Sequence, residues 1–597
     1  MAVTPESDPY YRLRHSAAHV MAQAVLEIFP EAKIAIGPPI EDGFYYDFDL
    51  PRALTPEDLS DIERRMRKII AGNFPFEYKV VSADEARQIF KDQPYKLELI
   101  DGLAKGLDEN GETAKGDTAI STYKQDSFED LCRGPHLERT GLIPPDGFKL
   151  MSIAGAYWRG DSNRPQLQRI YGTAWNNKKE LDDYLTRLEE AKRRDHRRLG
   201  KELGLFYFSD DIGPGLPMFS PKGEIIRHEM EKYVREVQTR YGYQHVWTGN
   251  VVKEALYHKS GHIEHYHDSM FPPMVESEDL VFRLKPMNCP SHMTLFNQLG
   301  VVSYRDLPMR FAEFATLYRY EDSGALNGLT RVRALTQDDC HIFCTEEQIE
   351  EEFTRAIQLI GEVLSTYQFT DYKVQLSLPG EGGKFVADDE KWAKATAALR
   401  SSLDKNNVQY EEAYGEAAFY GPKADFMARD VLGREWQLST IQVDFIQPAR
   451  LGCEYVGEDN QRHTPVLLHR AVTGSTERFL GVLIEHYAGA FPLWLAPIQV
   501  TVIPISDEKH GEYGRQVAER LRSQGLRVEL DDGKDRMQAK IRRAQNQKVP
   551  YMLVVGDKEL EAGAVAVRKR SGENLGAMPL DEFIAKAVEE VRTRAVS

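Results

Sequence analysis

Between residues 279 and 445 lie four strand-like segments, DLVFRLKPMNC, RFAEFATLYRYE, RALTQDDCHIFC and REWQLSTIQVDF, joined by long, turn-rich connections. Strands connected in this way suit an antiparallel sheet better than regular βαβ units. Side chains alternate along a strand, so each segment divides into two faces. In RALTQDDCHIFC, Gln337, Asp339 and His341 share one face, while Cys340 and Ile342 point the other way. In STIQVDF, Thr440, Gln442 and Asp444 oppose Ile441, Val443 and Phe445. Arg319 and Glu321 are expected on one face of LYRYE, and Met287 and Cys289 on one face of KPMNC. Such polar faces either converge on a cleft or form the wet side of a half-exposed sheet.

The texture on either side differs. From Gln499 onward, apolar runs (QVTVIPI, YMLVVG, AVAVRKR) alternate with helical patterns, the signature of a small α/β domain with a largely buried sheet. Residues 1–175 mix helix signals, short strands and polar loops, including DENGETAKGD, expected as a surface excursion. A charged helical run follows from Asn177, a plausible N-cap, and carries a basic cluster from Lys192 to Arg198. The expected domains are 1–175, a linker helix at 176–203, 204–492 and 493–597, close to the four that 597 residues suggest.

A formal net charge of −17 argues against nucleic-acid binding driven by whole-protein charge, while leaving room for a local basic face. The start, MAVTPESDPYY, has no basic segment before an apolar core and no amphipathic leader, so a cytoplasmic location is expected. The apolar stretch from Tyr487 carries Pro492, Pro497 and Pro504, which fits a domain junction entering a strand rather than a membrane span. Five scattered cysteines (Cys132, Cys289, Cys340, Cys344 and Cys453) argue for a reducing compartment and against a disulfide framework.

Longer motifs carry a resemblance. The segment from Arg310 to Gln348 resembles the second signature motif and following strand of class II aminoacyl-tRNA synthetases, and LHRAVTGSTERF resembles the third. KPMNCPSH, AFYGPK and GDSNRPQLQRIYGTAW are similar to the threonyl-tRNA synthetase family, and the likeness runs from about residue 8 to 595. The resemblance implies a multidomain α+β protein: an N-terminal editing domain, an antiparallel class II catalytic sheet and a C-terminal α/β anticodon-binding domain. It implies a homodimer that joins L-threonine to tRNA(Thr) through threonyl-adenylate, using ATP with Mg2+.

By the same resemblance, Arg319 is expected on the ATP α-phosphate, where it would stabilise charge developing as the carboxylate attacks. Glu321 is expected at the adenine amino group, Arg331 at another phosphate, and Arg478 at the γ-phosphate and adenine face. Gln437 and Thr440 complete the ATP side. The zinc ligands of the family fall on Cys289, His341 and His469, separated by 52 and 128 residues, which excludes a compact finger and leaves one side of the ion open. Strand parity puts Cys340 on the opposite face, so Cys340 and Cys344 are expected to be structural. Asp339 would meet the substrate ammonium, with Met287, Tyr420, Lys423, Gln442 and Ser475 around the amino acid and Lys423 assigned to the catalytic set. A site built around a hydroxyl rejects valine by roughly 10⁴-fold, whereas serine differs by one methyl worth about 1–3 kcal/mol, so a second sieve is needed.

That sieve is expected around RHSAAHV. His15 and His19 stand four apart on one helical face, the spacing of a helical metalloprotease, but Ser16 occupies the place of the required glutamate. In SFEDLCRGPHLERT, Cys132 and His136 are also four apart. The resemblance gathers these four residues, with Lys96 and Asp130, around a pocket that hydrolyses Ser-tRNA(Thr). A metal-free pocket that positions a water and the ribose hydroxyls is preferred, although the same four side chains also read as a tetrahedral zinc set.

The chain departs from the family pattern in three places. The additional small N-terminal domain of many bacterial members is expected to be missing, Gly249 stands where motif 1 ends in proline, and Lys534 stands where an asparagine is common. Glu559 and Arg568 match base-contacting positions of the anticodon domain. The rivals are a non-catalytic tRNA binder, a zinc hydrolase needing no ATP, and a synthetase for serine or proline.

Overall fold

A computed structural model describes residues 8–107, 119–161, 163–277, 280–380, 385–386 and 388–596. The DENGETAKGD excursion lies outside the described residues. By internal contacts the chain divides into residues 1–189 and 190–597.

The first unit is built on the helix Tyr11–Ile28, which contacts the strand Gly43–Asp49 of an antiparallel sheet. That sheet runs in the order Lys33–Ile34, Gly43–Asp49, Gln166–Ala174, Phe148–Tyr157. The apolar spacing suggests a helix with one buried stripe, but every residue from Leu13 to Val25 is buried, including Arg14, His15, Ser16, His19 and Gln23. A second helix, Pro56–Gly72, packs beside the first, while the segment from Asp126 to Leu137 contacts His15, Ser16, His19 and Gln23. The ends of the second helix are locally encoded: Thr55 and Asp58 form a reciprocal cap, Pro56 occupies the first turn, and Asn73 closes the helix in a left-handed conformation. A smaller antiparallel sheet, Glu77–Val80, Ser121–Gln125 and Phe128–Leu131, delivers Asp130 and then Cys132, while the helix Pro94–Ala104 delivers Lys96.

The charged run after Asn177 forms two helices, Lys178–Arg194 and His196–Leu203, rather than one. Asp195 leaves the helical conformation and its carboxylate accepts from the backbone N–H groups of Arg197 and Arg198, starting a new helix where a charge-rich sequence gave no visible break.

The second unit contains an eight-stranded sheet in the order Gln244–His245, Met309–Tyr318, Ala334–Cys344, Val466–Ala471, Glu435–Asp444, Lys423–Arg429, Tyr372–Leu378, Tyr410–Tyr414. Its outermost pairs are parallel and the five between them antiparallel. Cys340, Ile342, Cys344, Ile441, Val443 and Leu468 are buried in one core with residues of the helices Pro221–Arg240, Ile349–Thr366 and Thr476–His486. The alternation therefore separates a dry face from a polar one.

Two expected strand placements are corrected. The strand ends at Leu284, and Cys289 opens the helix Cys289–Gln298 instead of sharing a strand face with Met287. Pro286 has no N–H to continue a ladder, whereas Pro290 is tolerated in a first helical turn. Likewise the strand carrying motif 2 stops at Tyr318, because its partner begins at Ala334, directly opposite. Arg319 and Glu321 follow in irregular chain.

At the C-terminal end, Val528–Leu530, Val500–Pro504 and Tyr551–Val555 are parallel, extended by antiparallel Ala564–Lys569 and Asn574–Pro579. VTVIP and YMLVV are buried throughout, as a sheet covered on both faces requires. The strand Asn574–Pro579 and the helix Asp557–Ala562 have little sequence signal, the former because NLGAMP has no β-branched residue and Gly576 adopts a φ of 81°. No described helix is long and apolar enough to cross a membrane.

Candidate functional site

One cross-strand row organises the polar face of the large sheet. Lys423 lies opposite Gln442, Gln442 opposite His469, and His469 opposite His341. Residues directly opposed in antiparallel strands project on the same side, so chain segments far apart in sequence meet here. Cys289 joins them from the first turn of its helix, and one ligand atom from each of Cys289, His341 and His469 lies within 4.8 Å of the others.

All three side chains are buried. His341 Nε2 stands 3.1 Å from His469 Nδ1, and the opposite nitrogens are engaged elsewhere: His341 Nδ1 with His292 Nδ1 at 2.8 Å, His469 Nε2 with Asp444 Oδ2 at 3.0 Å. Burial, reinforced by His292 and His469, holds His341 well below the usual imidazole range, so it is neutral. Burial also pushes the Cys289 thiol well above its usual range, so a thiolate here calls for a cation beside it. Two imidazoles and one thiol, with a ligand atom of each within 4.8 Å of the others, fit a metal ion with one open side. Tyr420 stacks on His469 at 4.9 Å and donates to Gln442 Oε1 at 2.6 Å. Asp339 is buried, its carboxylate 3.9 Å from His341 Nδ1, and burial raises its pKa, which a cation arriving there would reverse.

Beside this cluster a pocket is lined by Arg319, Glu321, Arg331, Gln437, Thr440, Gln442, Ser475 and Arg478, among others. Arg319 and Glu321 thus reach one site although the strand stops short of them. Gln337 forms a backbone bridge with Ser475, which brings the N-terminus of the helix Thr476–His486 to the pocket. Ser475 caps that helix, its hydroxyl accepting from Arg478 N–H at 3.1 Å. Arg478 is held by Thr330 O at 3.1 Å, and Arg331 pairs with Glu321. Burial, with Arg319 and Arg331 nearby, lowers the Arg478 pKa. The Nε of Arg319 and the Oγ1 of Thr440 are buried with no hydrogen-bond partner among the described residues. Three guanidiniums, an unmatched donor and a helix N-terminus around one pocket define a polyanion site. Lys423 does not line the pocket but adjoins it through its register partner Gln442 and through Asp425, with which it pairs at 2.7 Å and which accepts from Gln437. Met287 offers its carbonyl to Tyr257.

The first unit holds a separate cavity, lined by His15, His19, Lys96, Asp130 and Cys132 among others. His136 is not among the residues lining it. It stacks on Phe76, centroids 5.0 Å apart, and its Nε2 lies 3.3 Å from Cys132 Sγ. His15 Nδ1 donates to Pro135 O at 3.3 Å, which turns its Nε2 lone pair toward Cys132 Sγ, also at 3.3 Å. Ser16, standing where a metalloprotease has glutamate, accepts from Leu137 N–H at 2.9 Å and contacts His136 Nδ1 at 3.2 Å. Burial lowers His15 to about 3, His19 to about 4 and His136 well below the usual range. Burial alone would raise the Asp130 carboxyl, but Lys96 at 2.6 Å, His19 and the Tyr46 hydroxyl at 2.6 Å keep it below the ordinary value. The four His and Cys ligand atoms lie within 4.8 Å of one another, so this donor set also satisfies the spacing of a metal site.

Lys534 is exposed after the strand Val528–Leu530, Glu559 lies on the helix Asp557–Ala562 with its carboxylate capping Gly556 N–H, and Arg568 lies on the strand Ala564–Lys569. The structure places them on a loop, a helix and a strand of the C-terminal sheet domain. Sequence reasoning missed His292, Glu313 and Tyr46 as site residues. His292 stands within KPMNCPSH, three residues after Cys289, but nothing in the spacing links Glu313 to it.

A largely antiparallel sheet with a guanidinium-lined pocket beside a Cys/His cluster, followed by a small α/β domain, is the architecture of a class II aminoacyl-tRNA synthetase. The family model "tRNA synthetase class II core domain (G, H, P, S and T)" matches residues 274–487, "Anticodon binding domain" matches 499–590, and "Threonyl and Alanyl tRNA synthetase second additional domain" matches 120–171. The chain is 61% identical over 596 residues to the threonine–tRNA ligase of Rubrobacter xylanophilus, covering 99% of this chain and 91% of that protein. It is 49% identical to that of Thermotoga neapolitana, over 99% and 89% respectively. A solved structure of the RNA binding domain of threonyl-tRNA synthetase from Cryptosporidium parvum superposes with a TM-score of 0.63 at 38% identity, over 66% of this chain and 98% of that one. The chain belongs to the threonine–tRNA ligase family.

Proposed function

We propose that the chain works through two chemically distinct sites, a synthetic site on the large sheet and a hydrolytic site in the first unit, and that its domains run 1–175, 176–203, 204–492 and 493–597. The convergence of Arg319, Arg331 and Arg478 on one pocket beside the Cys289, His341 and His469 cluster carries the reading.

In the synthetic site Arg319 orients the α-phosphate of ATP, and its unmatched Nε–H is the donor that meets charge building on that phosphate as the threonine carboxylate attacks. Arg331 leaves Glu321 for a phosphate, freeing the Glu321 carboxylate for the adenine amino group. Arg478 takes the γ-phosphate end, Gln437 and Thr440 complete the nucleotide side, and Mg2+ enters with ATP. Asp339 receives the substrate ammonium. Met287, Tyr420, Lys423, Gln442 and Ser475 shape the amino-acid pocket. Cys289, His341 and His469 would hold zinc, which would supply Lewis-acid contacts to the amino group and hydroxyl of threonine that valine cannot match.

Serine passes that test. In the first unit His15, His19 and Cys132, with Lys96 and Asp130, position a water against the ester of Ser-tRNA(Thr), and His136 supports Cys132 and His15. The histidines are neutral, so a ring nitrogen of each can orient that water as a hydrogen-bond acceptor. The spacing of the four His and Cys donors keeps a metal there as a second reading. Lys534, Glu559 and Arg568 read the anticodon. The assembly is a cytoplasmic homodimer, with Gly249 in the motif 1 segment.

The test is ATP–pyrophosphate exchange with threonine, serine and valine in parallel. Exchange with threonine and serine but not valine is expected. Equal exchange with valine, or none with any of them while zinc is bound, overturns the synthetic reading.

A further inference from the structure

We infer that two buried residues outside the ligand set, His292 and Glu313, are positioning residues that fix the tautomer and orientation of His341. The inference rests on the zinc reading of the Cys289, His341 and His469 cluster.

The protons can be assigned from one end to the other. If His341 offers Nε2 to a metal, its proton sits on Nδ1. That nitrogen is 2.8 Å from His292 Nδ1, and two ring nitrogens at this distance need one donor and one acceptor, so His292 Nδ1 accepts and its own proton sits on Nε2. Glu313 Oε2 receives it at 2.9 Å. Asn288 Nδ2 is also 2.9 Å from both His292 Nε2 and Glu313 Oε2. Because Nε2 already carries a proton, the amide donates to the carboxylate.

The amide orientation is itself fixed. Lys285 Nζ donates to Asn288 Oδ1 at 2.9 Å, and a flipped amide would set an NH2 group against an ammonium. Thr248 N–H donates to Glu313 Oε1 at 2.9 Å. His292, Asn288 and Lys285 are fully buried and Glu313 is 3% exposed. The hydrogen bonds to His292, Thr248 N–H and Asn288, together with the Lys285 charge, outweigh burial and keep Glu313 ionised, with a pKa of about 2.

A carboxylate thus sits, dry and fully hydrogen-bonded, one imidazole away from a metal ligand. His469 has the same kind of partner directly, in Asp444. The two ligating histidines are therefore presented through different nitrogens, Nε2 of His341 and Nδ1 of His469, each with its other nitrogen committed to a carboxylate, directly or through His292. A core polar network needs only to be satisfied. This one also has a direction, ending on the nitrogen opposite the metal face, and such partners raise metal affinity by orienting the ring and making it more basic.

The experiment compares the intact wild-type chain with His292→Leu, His292→Gln and Glu313→Gln. Zinc affinity is read by chelator competition, the cobalt-substituted absorption spectrum reports ligand geometry, and exchange assays give KM for threonine and for ATP. The wild type is expected to bind one zinc tightly. His292→Leu should weaken zinc about 10- to 100-fold, shift the cobalt spectrum, and raise KM for threonine while KM for ATP stays within about two-fold. His292→Gln keeps an acceptor and a donor and should recover most of the affinity. Glu313→Gln keeps the shape and removes the charge, and should weaken zinc about 10-fold; it carries the test if His292→Leu does not fold. Zinc affinity and spectrum unchanged in His292→Leu, or in Glu313→Gln where that variant stands in, overturn the inference. A wild type that binds no zinc overturns the zinc reading beneath it.

Discussion

His341 and His469 are direct register partners on neighbouring antiparallel strands, with Nε2 of one 3.1 Å from Nδ1 of the other. A pair separated by 128 residues in sequence is thereby set by sheet register alone, and a slip of one residue would turn either ring into the core. The third donor, Cys289, comes from a helix whose start is encoded by its own proline. Selectivity for threonine is proposed to depend on all three.

Cys289→Ala should therefore remove the metal and, with it, discrimination by hydroxyl. Threonine-dependent exchange is expected to fall by roughly 10³-fold or more, on the scale by which a hydroxyl-binding site separates substrates. Because the guanidinium pocket is lined without Cys289, ATP binding measured by equilibrium titration should change little. Retention of threonine-over-valine preference in a metal-free variant would sink the proposal.

Arg319 has a buried Nε with no partner among the described residues, the state expected of a donor waiting for a transition-state charge. Arg319→Ala should lower kcat for exchange by about 10²–10³, with a smaller change in KM for threonine. Arg319→Lys should not rescue it, since a point charge cannot supply a fork of donors. Full activity of the lysine variant in steady-state exchange would count against the assigned contact.

Strand parity made part of this site legible: Gln337, Asp339 and His341 fall together because Cys340, Ile342 and Cys344 must enter the core. Arg319 and Glu321 do not share the expected strand face, since the ladder ends at Tyr318, yet irregular chain carries both to the lining of one pocket. Asp195 was illegible as a break because a charged residue among charges carries no periodic signal, and its capping role exists only in three dimensions. The first helix shows another limit. The spacing of His15 and His19 puts them on one face, but burial extends from Leu13 to Val25 because the segment from Asp126 to Leu137 packs on His15, Ser16, His19 and Gln23. Glu313 was invisible because its link to His292 is made by folding.

His196 ties the linker to the loop that carries Arg331. Its Nδ1 donates to Glu485 at 2.6 Å, and its Nε2 accepts from Leu329 N–H at 3.0 Å. His196→Phe keeps the ring volume, which stacks near Phe206, but leaves a buried N–H unmatched at a cost of about 1–3 kcal/mol. That cost should appear as loosening of the 327–331 loop. KM for ATP is expected to rise at least about five-fold while zinc content and KM for threonine hold, and equal effects on both KM values would indicate a general loss of folding instead.

The buried histidines of the first unit make its stability pH-dependent with a definite sign. His15 and His19 have folded pKa values of about 3 and about 4, against an unfolded value of 6.5. Between those limits the unfolded chain binds protons that the folded chain refuses, so stability is complete above about pH 6.5 and falls as pH drops toward 4. Each group contributes a slope of about 1.4 kcal/mol per pH unit in that window. Acid-induced unfolding followed by tryptophan fluorescence should begin at a lower pH in His19→Asn than in the wild type. An identical onset would show that the histidine is not held neutral.

Lys96 and Asp130 form a buried pair in the pocket proposed to be hydrolytic. Both are buried, 2.6 Å apart, and Asp130 also takes the Tyr46 hydroxyl and faces His19 Nε2 at 3.5 Å. Removing only the cation leaves a buried carboxylate without compensation, which costs about 3–5 kcal/mol. Asp130 would then take up a proton or draw His19 toward it, and either change spoils the arrangement proposed to hold the water. Lys96→Met, matched in length, should abolish deacylation of preformed Ser-tRNA(Thr) while leaving threonine-dependent exchange close to wild type, because the synthetic site is built from residues after 280. Lys96→Arg should recover little, since a planar fork does not fit where a buried ammonium makes one short contact with Asp130. If Lys96→Met still hydrolyses Ser-tRNA(Thr) at the wild-type rate, then the ion pair serves folding alone, and the water must be held by His15 and Cys132 without it.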